Sequence, residues 1–422
     1  MRSHMQWLRG TILQLVLFIG AAFSGVLAEQ LRIRTKGSSY ATSSWNDYFY
    51  YRAMVSHLWS TPVSLFREIV SLKIRTSMKA LPGQYSSALS MTYLHTQDGL
   101  AHQPPYVYRI LQPSLVSILH HFGLSIDAGF LVLYCLGLGL IALCAYGVIS
   151  SSWEWSWMGA VSSCSIVLAA LATSSPGYPD TLFLGLSMMA IWAAVSRKGI
   201  VFVVASALAV LTRETGVILA VFWVLTTWTN DSSKRFRRIM PASAPLFAFF
   251  LSRVLVSVPD SQVNYVGLLR TIVSPIMICV AISSIGLVAL FSPTMVQISW
   301  SSTRQLVGWN DRLIVITAIC YALISMCLAS NTSRMALLVA PLFIGATNWG
   351  HLRSRLWIVG AGMTPIGYAI CDTLAARANA PLGIWIWPAF VALFLSIQIV
   401  AVKRDAVVEI PLRRAAPPMG VL

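Results

Sequence analysis

Gly129–Ile149 reads GFLVLYCLGLGLIALCAYGVI, a run of 21 residues without a charge. That run decides the fold. At 1.5 Å per residue it makes a helix of about 31 Å, the thickness of a bilayer's hydrocarbon core, and it is far too long for one strand. Thr11–Ala28 is a second apolar run upstream. Of 422 residues, 57% are hydrophobic and only 10% charged. A soluble domain has no means of hiding so much apolar surface, so an all-α polytopic integral membrane protein is expected.

Working outward from Gly129–Ile149, the hydropathy pattern predicts about twelve spans, near 9–28, 128–150, 157–174, 180–196, 199–212, 214–230, 240–257, 270–291, 311–330, 333–347, 356–374 and 382–402. Residues 1–402 form one transmembrane domain on this reading. Residues 29–127 form a long first extracytoplasmic loop with interfacial helices, and 403–422 a cytoplasmic tail with the composition of a disordered segment. Residues 1–28 resemble a signal peptide, with Arg2 and Arg9, an apolar run and then Val26-Leu27-Ala28. They are read as a retained anchor, because the rest of the chain is membrane-embedded too. No 6+6 internal repeat is visible, which disfavours a transporter built of two related bundles.

The formal charge of +16 would point to nucleic acid in a soluble protein. Here the positive-inside rule and anionic lipid head groups account for it, and no nucleic-acid partner is expected. The loops alternate in charge. One set, including Arg197-Lys198 and Lys234–Arg238, holds 16 basic residues, and the opposite short loops and helix ends hold 5 (Arg213, Arg253, Arg270, Arg334, Arg377). That asymmetry places both termini in the cytoplasm, in a chain expected in a bacterial inner membrane. Tyr108–Gly123 is a further short apolar stretch. Counting it as a span would invert every later loop, so it is read as interfacial or re-entrant on the outer side. The 7 cysteines lie in or at the ends of apolar segments without ligand-like spacing and read as packing residues.

Polar groups at membrane depth are costly, which makes them candidates for function. On this topology four clusters share the outer face: Asn46-Asp47 in the first loop, Pro176-Gly177-Tyr178-Pro179-Asp180, Thr212-Arg213-Glu214-Thr215-Gly216, and Ser330-Asn331-Thr332-Ser333-Arg334. Tyr108-Arg109 joins them just before the interfacial stretch. Each has a plainer reading. Asp180 suits the first turn of a helix, where a carboxylate offsets the macrodipole. Arg213 and Glu214 suit a salt-bridged corner, Asn331 and Arg334 a cap with a snorkelling side chain, and Asp47 a solvated loop. His95, Asp98 and His102 are read as a solvated loop rather than a metal site.

An acid in a large first outer loop, then PYVYRILQP, PGYPD and LAVLTRETGVIL, resembles the polytopic glycosyltransferases of the GT-C superfamily. The Asn331-x-x-Arg334 cluster followed by Pro341 fits the same pattern, and the likeness runs from about residue 40 to 345. The resemblance implies a polyprenyl-phosphate-linked sugar as donor and inverting transfer on the outer face. The acceptor it implies is a glycan, lipid or protein, with Asp47 as general base. Many such enzymes carry two adjacent acids in this loop. Asn46-Asp47 departs from that, so no divalent metal or other cofactor is expected.

The residues suit this chemistry without the analogy. A carboxylate such as Asp47 can take the acceptor's hydroxyl proton. Cations must hold the departing phosphate, and the arginine fork is matched to it, which nominates Arg109, Arg213 and Arg334. Glu214 is placed to orient Arg213 or an acceptor hydroxyl, and Tyr108, Asp180 and Asn331 complete the substrate-binding set. A lipid-linked sugar flippase and an outer-face glycan polymerase or ligase are the competing readings. The first would want charges within the spans, and the second usually carries its long loop late in the chain.

Overall fold

The computed structural model describes residues 2–36, 51–52, 54–55, 109–152, 156–227, 232–255 and 337. The expected spans beyond residue 255 and most of the first loop lie outside them. Within them every expected span is helical and no strand occurs. The elements run α1 (Arg2–Lys36), α2 (Leu111–His121), α3 (Ile126–Ser152), α4 (Ser156–Thr173), α5 (Asp180–Val195) and α6 (Gly199–Thr212). A 3-10 segment (Glu214–Ile218) then leads into α7 (Leu219–Thr227), and α8 (Ser232–Ile239) precedes a second 3-10 turn (Met240–Ala242) and α9 (Ser243–Leu255). Among the described residues two stretches, Thr11–Thr35 and Ile126–Ile149, are long and apolar enough to cross a membrane.

Those two helices occupy different places. In α1 only 17% of the apolar window is buried, against 67% in α3. Ile12, Leu15, Val16, Ile19 and Phe23 of α1 are exposed, whereas α3 is packed by α1, α2, α4 and α5. Small residues on α3 make this crowding possible. A Cβ on Gly137 would sit 2.7 Å from the backbone oxygen of Thr181, and one on Gly185 would sit 2.7 Å from that of Gly137. The α3 and α5 backbones therefore touch, as close-packed membrane helices do where glycine permits. Two residues further along α3, Gly139 seats the Phe18 ring of α1. The helix α5, apolar all round, is buried over most of its length, as expected of an element at the centre of a bundle.

Local chemistry sets the turns. At the end of α2, Gly123 has φ +93° and the Leu124 amide donates to the Leu119 carbonyl at 3.2 Å. That is a left-handed helix stop of the kind glycine favours. The α5–α6 hairpin closes in the same manner, with the Lys198 amide donating to Ala193 at 2.8 Å and Arg197 held at φ 57°. After Thr212 the backbone extends at Arg213 and turns back on itself. A Cβ on Gly216 would meet the Val210 nitrogen at 2.9 Å, so Glu214–Ile218 lies hard against the last turns of α6. Sequence patterning expects a regular helix from 214. The reversal leaves no room for one until Leu219, and the intervening residues tighten to 3-10 geometry.

Candidate functional site

Three chain segments meet where α2 begins, α5 begins and α6 ends. Arg109 stands two residues before α2, and Asp180 opens α5. Arg213 and Glu214 form the link out of α6. Asp180 sits in the first turn of α5, where the helix dipole favours a carboxylate. The extended backbone at Arg213 sets the two linker side chains on separate courses.

Arg213 Nη1 donates to Asp180 Oδ1, with both side chains almost fully buried. Its neighbour Glu214 serves Arg109 instead. Arg109 Nε donates to Glu214 Oε2 at 3.1 Å and Nη2 to Oε1 at 3.4 Å, a two-pronged pairing. Arg109 Nη1 also donates to the Tyr51 hydroxyl at 3.1 Å. Burial opposes the charge on Arg109, but the Glu214 carboxylate and the Tyr51 hydroxyl outweigh it and hold the guanidinium above its ordinary value. Glu214 also lies within electrostatic range of Arg213, so the two pairs make one cluster of two cations and two anions. Arg213 and Glu214, whose plainer reading is a salt-bridged corner, are thus paired in two crossed pairs with other elements. Adjacent residues on an extended-to-3-10 backbone point apart, and each finds its partner on another element.

The arginines differ in what they have left. All three nitrogens of Arg109 are engaged by Glu214 and Tyr51. Arg213 keeps its Nε without a hydrogen-bond partner among the described residues. Gln112, one turn beyond Arg109 and buried, donates Nε2 to the Tyr178 carbonyl at 3.4 Å, tying α2 to the Pro176–Asp180 turn. Its Oε1, like the Thr215 hydroxyl beside Glu214, is buried without a partner among the described residues.

Of the residues nominated from sequence, Arg109, Asp180, Arg213 and Glu214 come together here. Asp47, Tyr108, Asn331 and Arg334 lie outside the described residues. Sequence reasoning missed Gln112, whose neutral amide gives no charge signal. Tyr51, an uncharged aromatic, gives no charge signal either. In the structure Tyr51, Met54 and Val55 are fully buried, so this part of the long first loop is core rather than solvated chain. Arg52 beside them reaches Asp127 at 3.9 Å on the surface. No protein-family model, curated protein or solved structure matches this chain.

Proposed function

We propose that this chain is a polytopic inner-membrane glycosyltransferase of GT-C type. It has about twelve spans and cytoplasmic termini, and it transfers a sugar from a polyprenyl-phosphate donor to a glycan, lipid or protein acceptor on the outer face. The observation that carries this reading is the Asp180–Arg213 pair. Asp180 fixes the guanidinium through Nη1, and Nε has no hydrogen-bond partner among the described residues, at the ends of apolar helices. A pre-positioned arginine at the level of lipid head groups is what a departing lipid phosphate requires.

In the reaction the acceptor oxygen forms a bond to the sugar's anomeric carbon as the bond from that carbon to the phosphate oxygen breaks. Asp47 accepts the hydroxyl proton, and polyprenyl phosphate departs toward Arg213 and Arg334. Tyr108 and Asn331 bind substrate, and Glu214 orients the site through Arg109.

The test is transfer by the purified protein in lipid, assayed against a panel of polyprenyl-phosphate sugars. Asp47→Asn removes proton acceptance with little change in volume and should lower turnover about 10²–10⁴-fold with donor binding intact. Arg213→Lys keeps a cation opposite Asp180 but loses the planar fork, so donor use should weaken about tenfold. Wild-type turnover by Asp47→Asn ends the general-base assignment. Absence of transfer with every donor ends the enzyme reading.

A further inference from the structure

Arg109 makes a connection that reaches beyond its pairing with Glu214. Its guanidinium spans two parts of the chain far apart in sequence, with Glu214 105 residues ahead and Tyr51 58 residues behind. Both contacts are made by one buried side chain, and neither leaves a nitrogen of the fork uncommitted. Tyr51 itself is fully buried, with Met54 and Val55 beside it in the core, so the hydroxyl is reached from the protein side and not from solvent.

We infer that Arg109 is a positioning residue: backed by Glu214, it clamps the first loop at Tyr51 onto the link that carries Arg213. This deepens the reading above and rests on it for its catalytic consequence. Asp47 lies four residues before Tyr51. Four residues of chain reach at most about 14 Å, so a change at Tyr51 acts within that covalent reach of the proposed base. Glu214 sets the orientation of the guanidinium through two parallel contacts, and the third nitrogen then has one direction in which to donate. Because Arg213 and Glu214 are consecutive, the same backbone link that aims the phosphate-holding arginine also aims the clamp. The base and the phosphate site are thereby held in one frame, which a transfer between two bound substrates needs.

The experiment has one arm that reads the clamp and one that reads catalysis, both on the full chain in lipid. Tyr51→Phe removes only the hydroxyl, and Glu214→Gln removes the charge behind the fork. If the clamp exists, amide hydrogen exchange of peptides covering residues 45–58 rises about tenfold in Tyr51→Phe, with exchange in α3 and α5 unchanged. In the transfer assay kcat falls while KM for the polyprenyl-phosphate sugar stays within about twofold, because the base is displaced and the donor site is not. Exchange at wild-type rate in both variants overturns the clamp. Faster exchange with a raised KM and unchanged kcat overturns the positioning role and makes Arg109 a donor ligand. A wild-type protein inactive with every donor, but with exchange that rises in Tyr51→Phe, keeps the clamp and removes the glycosyltransferase reading.

Discussion

Arg213 shows what a single buried charge demands of its surroundings. It is 5% exposed and Asp180 2%, so neither is solvated enough to stand alone. Breaking a buried pair from one side costs about 3–5 kcal/mol, whereas exchanging both partners for uncharged groups is far cheaper. Asp180→Asn should therefore lower thermal stability in detergent markedly, and Arg213→Gln placed on top of it should recover part of the loss. A double variant whose destabilisation equals the sum of the single ones would show that the two side chains are not coupled. That these residues matter was legible in the sequence, since arginine and acid at the ends of apolar runs are conspicuous. Who pairs with whom was not. The partners lie 33 and 105 residues away, and nothing in a linear string distinguishes Asp180 from Glu214 as the counter-ion of Arg213.

Among elements, the contact between α3 and α5 is the tightest constraint on where the charged ends fall. Backbone approach at Gly137 and Gly185 leaves no space for a side chain on either helix. Gly137→Val should force the helices apart, at about 1–3 kcal/mol for overpacking and more if α5 cannot shift. Because Asp180 opens α5 and Thr181 packs on Gly137, the displacement should also disturb the Asp180–Arg213 pair. Loss of folded protein on size-exclusion of the detergent-solubilised variant measures it, and a wild-type profile would refute the close approach. The helices themselves were legible because an unbroken apolar run of this length has one solution in a membrane. The 3-10 stretch Glu214–Ile218 was not, because its geometry comes from the reversal against α6 and leaves hydropathy unchanged. The helix α1 likewise runs to Lys36, past the point where its apolar run ends at Ala28, since Glu29 to Lys36 are good helix formers in the main and carry no breaker.

At the scale of the whole molecule the charge distribution predicts an orientation that can be tested directly. Sixteen basic residues on one set of loops against five on the other predict Lys234 in the cytoplasm and Gly83 outside. Cysteine accessibility in intact cells, with Gly83→Cys and Lys234→Cys in a background without exposed native thiols, should label the two on opposite sides. Labelling of both from the same side would invert or abolish the topology, and with it the outer-face site. Lys234 lies in α8. Phe236, Arg237 and Arg238 are exposed, and the Trp223 indole anchors the Arg238 carbonyl at 2.7 Å, which suits a short basic helix lying along a head-group layer.

The crossed pairing at residues 213 and 214 also orders the protein's biogenesis. Arg109 and Asp180 leave the ribosome well before either counter-ion exists, and both become buried in the finished fold. Neither ion pair can form until Arg213 and Glu214 have both been made, so two buried charges from separate parts of the chain wait on the same dipeptide for their counter-ions.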